Sequence, residues 1–132
     1  DRLFTEISGG ERQMALIARA LAQEPDLIVM DEPTASLDFG NQARVLDHIR
    51  ALGDRGLAIV LSTHDPSQAF ACADRVGLMK DGAIVAIGPP ETVLTPDSLH
   101  MLYRVDVAVA WLEEAGQRVC TPILAQRRQH RP

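Results

Sequence analysis

The chain has 132 residues, 46% of them hydrophobic, which is one domain's worth of material and enough for a core, so a globular protein is expected rather than a disordered one. Thirteen Lys and Arg against 18 Asp and Glu give a net charge of −5, a balance that excludes a chain built to coat nucleic acid or an anionic membrane. No apolar run approaches the ~20 residues of a membrane-spanning helix and no signal peptide opens the chain, so a membrane connection is expected to run through a partner.

The elements follow in order. Met14, Ile17, Ala18, Leu21 and Ala22 recur at helical spacing after Ser8, and Pro25 closes that helix ahead of the apolar run Leu27 to Met30. A short run apolar on every side predicts a fully buried strand. Val45, Leu46, Ile49 and Leu52 mark a second amphipathic helix closed by Gly53 and Gly56, and Leu57 to Leu61 predicts a second buried strand. Such a βαβ unit leaves its strands parallel, with both C-terminal ends at one sheet edge. Asp31 and Glu32 are therefore expected to share an edge with His64.

Arg75 to Lys80 and Ala83 to Gly88 flank Asp81-Gly82, which tolerates positive φ and predicts a tight hairpin. Thr95-Pro96 opens a short helix to about Tyr103, and Val105, Val107 and Val109 alternate like a final strand. The expected organisation is a domain over 1–110 and an appendage over 111–132. Arg127, Arg128 and Arg131, within Gln126 to Pro132, are expected to be a solvated terminus. Cys72 and Cys120 lack metal-ligand spacing and suit a reducing compartment, with cytosol expected.

Four segments carry chemistry. Ser8-Gly9-Gly10-Glu11 has the form of a helix capping box, and it can equally be an anion site, because two glycines open the first turn to the positive end of the helix dipole. Asp31-Glu32-Pro33 places adjacent carboxylates at the end of an apolar strand, where desolvation is costly unless a cation or a reaction needs them. One can hold Mg²⁺ through a water while its neighbour polarises an attacking water. Two solvated acids in a turn would look the same. Ser36-Leu37-Asp38 is also a plain helix cap. Thr63-His64-Asp65 follows the second strand, and a histidine beside the Asp-Glu pair can reach a terminal phosphate, a metal and a water together. His48, His100 and His130 show no comparable company.

Taken in order, Ile7-Ser8-Gly9-Gly10-Glu11, Leu27 to Glu32, Ser36-Leu37-Asp38 and His64 resemble the signature, Walker B, D-loop and switch-histidine motifs of ABC ATPases. The resemblance implies an α/β fold: a parallel-sheet P-loop NTPase-like core, here its C-terminal half, with a C-terminal β-hairpin and short helix. It implies that Ser8, Gly9 and Gly10 grip the γ-phosphate of ATP bound to the opposite subunit, with Glu11 standing where many members have Gln. Asp31 then supports Mg²⁺, Glu32 is the general base, His64 contacts the γ-phosphate and Asp38 signals across the dimer. Expected partners are a second ATPase subunit, head to tail, and transmembrane permease subunits that hold the protein at the inner face of the membrane. No nucleic acid and no direct membrane insertion are expected.

The sequence contains no G-x-x-x-x-G-K-[ST] loop and no glutamine loop before the signature, so a fragment that cannot cradle its own nucleotide is expected. In the family the strand leading into that loop lies between Leu57–Leu61 and the strand near Arg75, which predicts a gap between them here. Asp38 to Gln42, Thr63 to Phe70 and Arg118-Val119-Cys120 resemble importers of iron-siderophore, haem or cobalamin type. A soluble ABC-type ATPase of DNA repair or chromosome organisation, and a non-catalytic module lending its signature face to a partner, are the alternatives.

Overall fold

The computed structural model describes residue 3 and residues 7–125, so the basic tail at 126–132 lies outside the described residues. The chain divides into two compact units, Asp1–Gln68 and Ala69–Pro132.

In the first unit α1 (Gly9–Leu21) starts where its sequence says it should. Ser8 Oγ accepts from the Glu11 N–H while the Glu11 carboxylate accepts from the Ser8 N–H, so two of the orphan donors at the helix start are satisfied. β1 (Leu27–Met30) leads to α2 (Phe39–Asp54), whose N-cap is Asp38, and β2 (Ala58–Leu61) follows. The helix runs through Gly53, which had been expected to end it. Gly56, at φ +97°, makes the reversal into β2 that a side chain would disfavour.

β1 and β2 pair in parallel with Met30 opposite Leu61. Ile17, Ile28, Met30, Val45 and Ile49 form the core beneath them. The expectation that both strands are buried on each face is corrected. Leu27 and Val29 of β1 are exposed, Val29 to 71%, and Val60 of β2 to 57%. α1 and α2 cover one face, and apolar residues on the other face show what a strand can bury rather than what covers it.

In the second unit α3 (Pro66–Cys72), which begins in the first, leads to β3 (Val76–Lys80) and β4 (Ala83–Gly88). Asp81 at φ +51° and Gly82 at φ +77° form the expected two-residue turn. α4 (Pro90–Val93) precedes α5 (Pro96–Tyr103), capped by Thr95 and Ser98 reciprocally. Ala69, Leu78, Val93, Leu94, Leu99 and Val107 make a separate core, with Leu99 wholly inaccessible.

Of the alternating valines, Val107 and Val109 belong to β5 (Val107–Leu112), Val105 lies before it, and β5 is not the last strand. A 3-10 turn at Glu113–Ala115 and Gly116 at φ +61° return the chain as β6 (Gln117–Pro122), antiparallel to β5. Trp111 and Leu112, on the far side of the expected boundary at 110, are thus ladder residues paired with Arg118 and Gln117. β2 and β3 belong to different two-stranded sheets.

Candidate functional site

Parallel pairing decides what meets at the sheet edge. Because Met30 stands opposite Leu61, the next residues of each strand, Asp31 and Ser62, are neighbours, and the Ser62 N–H still donates to the Met30 carbonyl at 3.0 Å. The Ser62 hydroxyl donates to Asp31 Oδ1 at 2.6 Å and accepts from the Glu32 N–H at 2.9 Å. Two residues further on, His64 Nε2 lies 2.7 Å from Glu32 Oε1, its N–H donating to the carboxylate. The imidazole is 87% exposed and the Glu32 side chain 39%, so this pair faces solvent and is open to a ligand. Asp31, Glu32 and His64, expected at one edge from spacing alone, are together there.

The backbone at this edge departs from ordinary geometry. Glu32 sits at φ +45° and Ser36 at φ +64°, a region that non-glycine residues enter rarely. Behind them, the buried Gln68 carboxamide oxygen accepts from Thr34 Oγ1 at 2.9 Å and from Thr63 Oγ1 at 3.2 Å. One amide thus ties the loop after β1 to the loop after β2. Thr63 Oγ1 also accepts from the Asp65 N–H, and Asp65 Oδ1 from the Ser67 N–H, which starts α3. Hydroxyl and amide side chains buried with their bonds made are the usual means of holding a loop in a strained conformation.

The signature residues form a second group. Ser8 and Glu11 are engaged with each other in the cap, so in this state the Ser8 hydroxyl serves the helix. Gly9 is exposed and Gly10 buried, and the two have different duties. A Cβ at Gly10 would lie 2.5 Å from Asn41 Cγ and Oδ1, so the absence of a side chain lets α1 approach the first turn of α2. Asn41 in turn donates its N–H to Asp38 Oδ1 at 2.8 Å and its Nδ2 to Asp38 Oδ2 at 3.2 Å. Asn41 therefore stands between Gly10 and Asp38. Its side-chain oxygen also accepts from Arg44 Nη1.

Ser62, Gln68 and Asn41 were given no role in the site from sequence, although Asn41 and Gln68 lie within the importer-like stretches. Ser62 had a signal, since counting one residue past each paired strand end brings it to Asp31. For Gln68 and Asn41 nothing in the sequence indicated these bonds, because they depend on loop and helix geometry. Elsewhere, His100 does have a partner: its Nδ1 lies 2.9 Å from Asp106 Oδ1. Both groups are largely exposed, and they lie in the second unit, away in sequence from the Asp31-Glu32 pair.

A family model described as "AAA domain, putative AbiEii toxin, Type IV TA system" matches residues 2–67, half the chain, including Ser8, Asp31, Glu32, Asp38, Ser62 and His64. The hemin import ATP-binding protein HmuV of Rhodococcus jostii is 40% identical over 127 residues, 96% of this chain and 44% of that protein. The cobalamin import ATP-binding protein BtuD of Halobacterium salinarum is 41% identical over 123 residues, 92% of this chain and 31% of that protein.

The chain belongs to the ABC ATPase family.

A solved metal-chelate type ABC transporter in an inward-facing conformation superposes with a TM-score of 0.84 at 35% identity, over 94% of this chain and 51% of that one. The ABC ATPase fold here is mixed α/β, a parallel pair with antiparallel hairpins, as the P-loop NTPase-like expectation had it. The chain spans less than half the length of the two import proteins it matches. Among the described residues no helix is long and apolar enough to cross a membrane.

Proposed function

We propose that the polypeptide carrying these residues is the ATP-hydrolysing subunit of an importer for an iron-siderophore, haem or cobalamin type of substrate. The observation that carries this reading is the contact of Glu32 with His64 at the edge where Asp31 also stands, in a chain whose relatives are import ATP-binding proteins. Proteins of that description need a base beside a terminal phosphate, and the pair supplies a carboxylate with a hydrogen-bond donor 2.7 Å away.

In this reading Glu32 orients and deprotonates the attacking water, and His64 turns its N–H from Glu32 to a γ-phosphate oxygen. Ser8, Gly9 and Gly10, with Glu11 closing the cap, present the α1 N-terminus to a phosphate held by a second ATPase subunit, arranged head to tail. Asp38 reports across that interface through its cap on α2. Asp31 offers a hard carboxylate oxygen donor of the kind that suits Mg²⁺, which keeps several waters and takes its remaining ligands from substrate phosphates. The ion would neutralise charge that develops on the transferred phosphoryl group. Permease subunits would hold the pair at the cytoplasmic face of the membrane. The toxin in the family model's description finds no support in the import proteins that match 92–96% of the chain.

Uptake assays test this reading. A strain lacking the gene should lose accumulation of one of ferric siderophore, haemin or cobalamin, and the wild-type gene but not Glu32→Gln should restore it. Unchanged uptake of all three would defeat the importer assignment.

A further inference from the structure

Ser62 is exposed, short and placed one residue beyond the strand, where a serine usually needs no explanation. Its bonds are less ordinary. A hydroxyl has one proton to give and two lone pairs to offer. Ser62 gives its proton to Asp31 Oδ1 and takes the N–H of Glu32. A single oxygen thus touches both members of the acid pair, one through its carboxylate and the other through its backbone.

We propose that Ser62 is a positioning residue for this pair, orienting the Asp31 carboxylate toward a divalent cation and fixing the peptide that aims Glu32. The inference rests on the ATPase reading of the site. Two features give the role its content. With Oδ1 engaged by Ser62, Oδ2 is the oxygen left to Asp31 for the water shell of a cation, so the hydroxyl selects which oxygen works. The second is the conformation of Glu32 at φ +45°, which the hydrogen bond to its N–H helps to hold against relaxation into the ordinary regions. Removing the hydroxyl frees the Asp31 carboxylate to rotate and releases that peptide. Partners that orient a metal-binding carboxylate typically change metal affinity or activity by about 10–100-fold when deleted.

The test uses the complete polypeptide that carries these residues, with Glu32→Gln as parent so that ATP is not consumed, and reads Mn²⁺ binding in the presence of ATP by electron paramagnetic resonance. Ser62→Ala should weaken Mn²⁺ binding by about tenfold, and Ser62→Thr, which keeps the hydroxyl, should stay within about twofold of the parent. Ser62→Val serves as a second hydroxyl-free variant, close to Thr in shape, and melting curves of all variants confirm folding. Binding by Ser62→Ala and Ser62→Val equal to the parent overturns the proposal, and so does an equal loss in Ser62→Thr. A parent that shows no ATP-dependent Mn²⁺ binding would overturn the ATPase reading and this assignment with it. Normal binding in the parent with unaffected variants overturns the Ser62 assignment alone.

Discussion

Among the described residues, those of the first unit other than glycine at positive φ are Glu24, Glu32 and Ser36, and two of these stand in the loop after β1; in the second unit they are Asp81 and Arg104. Asp81 is half of a hairpin turn and Arg104 the left-handed end of α5, both positions where such geometry is standard chemistry. Glu32 has no such excuse. It directly follows an acidic residue at a strand end, lies 2.7 Å from a histidine and has its N–H held by a serine from the neighbouring strand. The same backbone region therefore marks turns and helix ends at Glu24, Asp81 and Arg104 and the candidate site at Glu32, and the hydrogen-bond partners tell them apart. Each unit has its own apolar core. In residues 7–68 polar side chains also bond loop to loop, Ser62 to Asp31 and Gln68 to Thr34 and Thr63, whereas in residues 69–125 Thr95 and Ser98 bond each other within one helix cap.

Substitutions can break that comparison or sharpen it. A large effect on turnover is expected from Ser8→Arg in the complete polypeptide, which places a bulky cation at the helix start that a phosphate must approach. ATP hydrolysis should fall by more than about 100-fold, the size seen when one donor to a developing anion is lost, while ATP affinity of the monomer stays within about twofold. Equal losses of monomer binding and turnover would place Ser8 in its own subunit's site.

Leu99→Ala probes the second unit. Leu99 is 0% exposed, so removing it should cost about 2–5 kcal/mol in urea melts through the cavity left behind. The nucleotide contacts assigned to the first unit should survive once the protein is folded, giving unchanged ATP affinity below the transition. A loss of ATP affinity in the folded variant would show that the division of labour between the units is wrong.

Gly10→Ala is expected to have a smaller effect, about 1–3 kcal/mol, because the added methyl would lie 2.5 Å from an Asn41 side chain held by Asp38 and Arg44. Adding Asn41→Ala should recover part of it. No recovery in the double variant would mean that Gly10 is required for another reason, such as the backbone approach of a phosphate.

Much of the first unit was legible before its geometry was known. The capping box at Ser8 and Glu11, the parallel pair and the meeting of Asp31, Glu32 and His64 follow from periodicity, cap chemistry and the handedness of a βαβ crossover. Burial was not legible in the same way. Leu27, Val29 and Val60 read as core because composition reports what a face can bury, and only the packed structure shows that α1 and α2 cover the opposite face. The second hairpin was missed for a related reason: Gln117 to Pro122 carries Gln, Arg, Thr and Pro, so its alternation is too weak to announce a strand without β5 beside it. Gln68 was silent because its value lies in two hydroxyls that come from loops 34 and 5 residues away.

The central claim is that the edge shared by Asp31, Glu32 and His64 is where ATP is hydrolysed. The most direct test is Glu32→Gln in the complete polypeptide, measuring ATP turnover and retained nucleotide on the same preparation. The amide keeps the shape and cannot take a proton, so turnover should fall by about 10²–10⁴-fold while ATP stays bound and a nucleotide-loaded dimer accumulates. Hydrolysis by Glu32→Gln at the wild-type rate would contradict the account, because the carboxylate at the centre of the site would then have no part in the reaction.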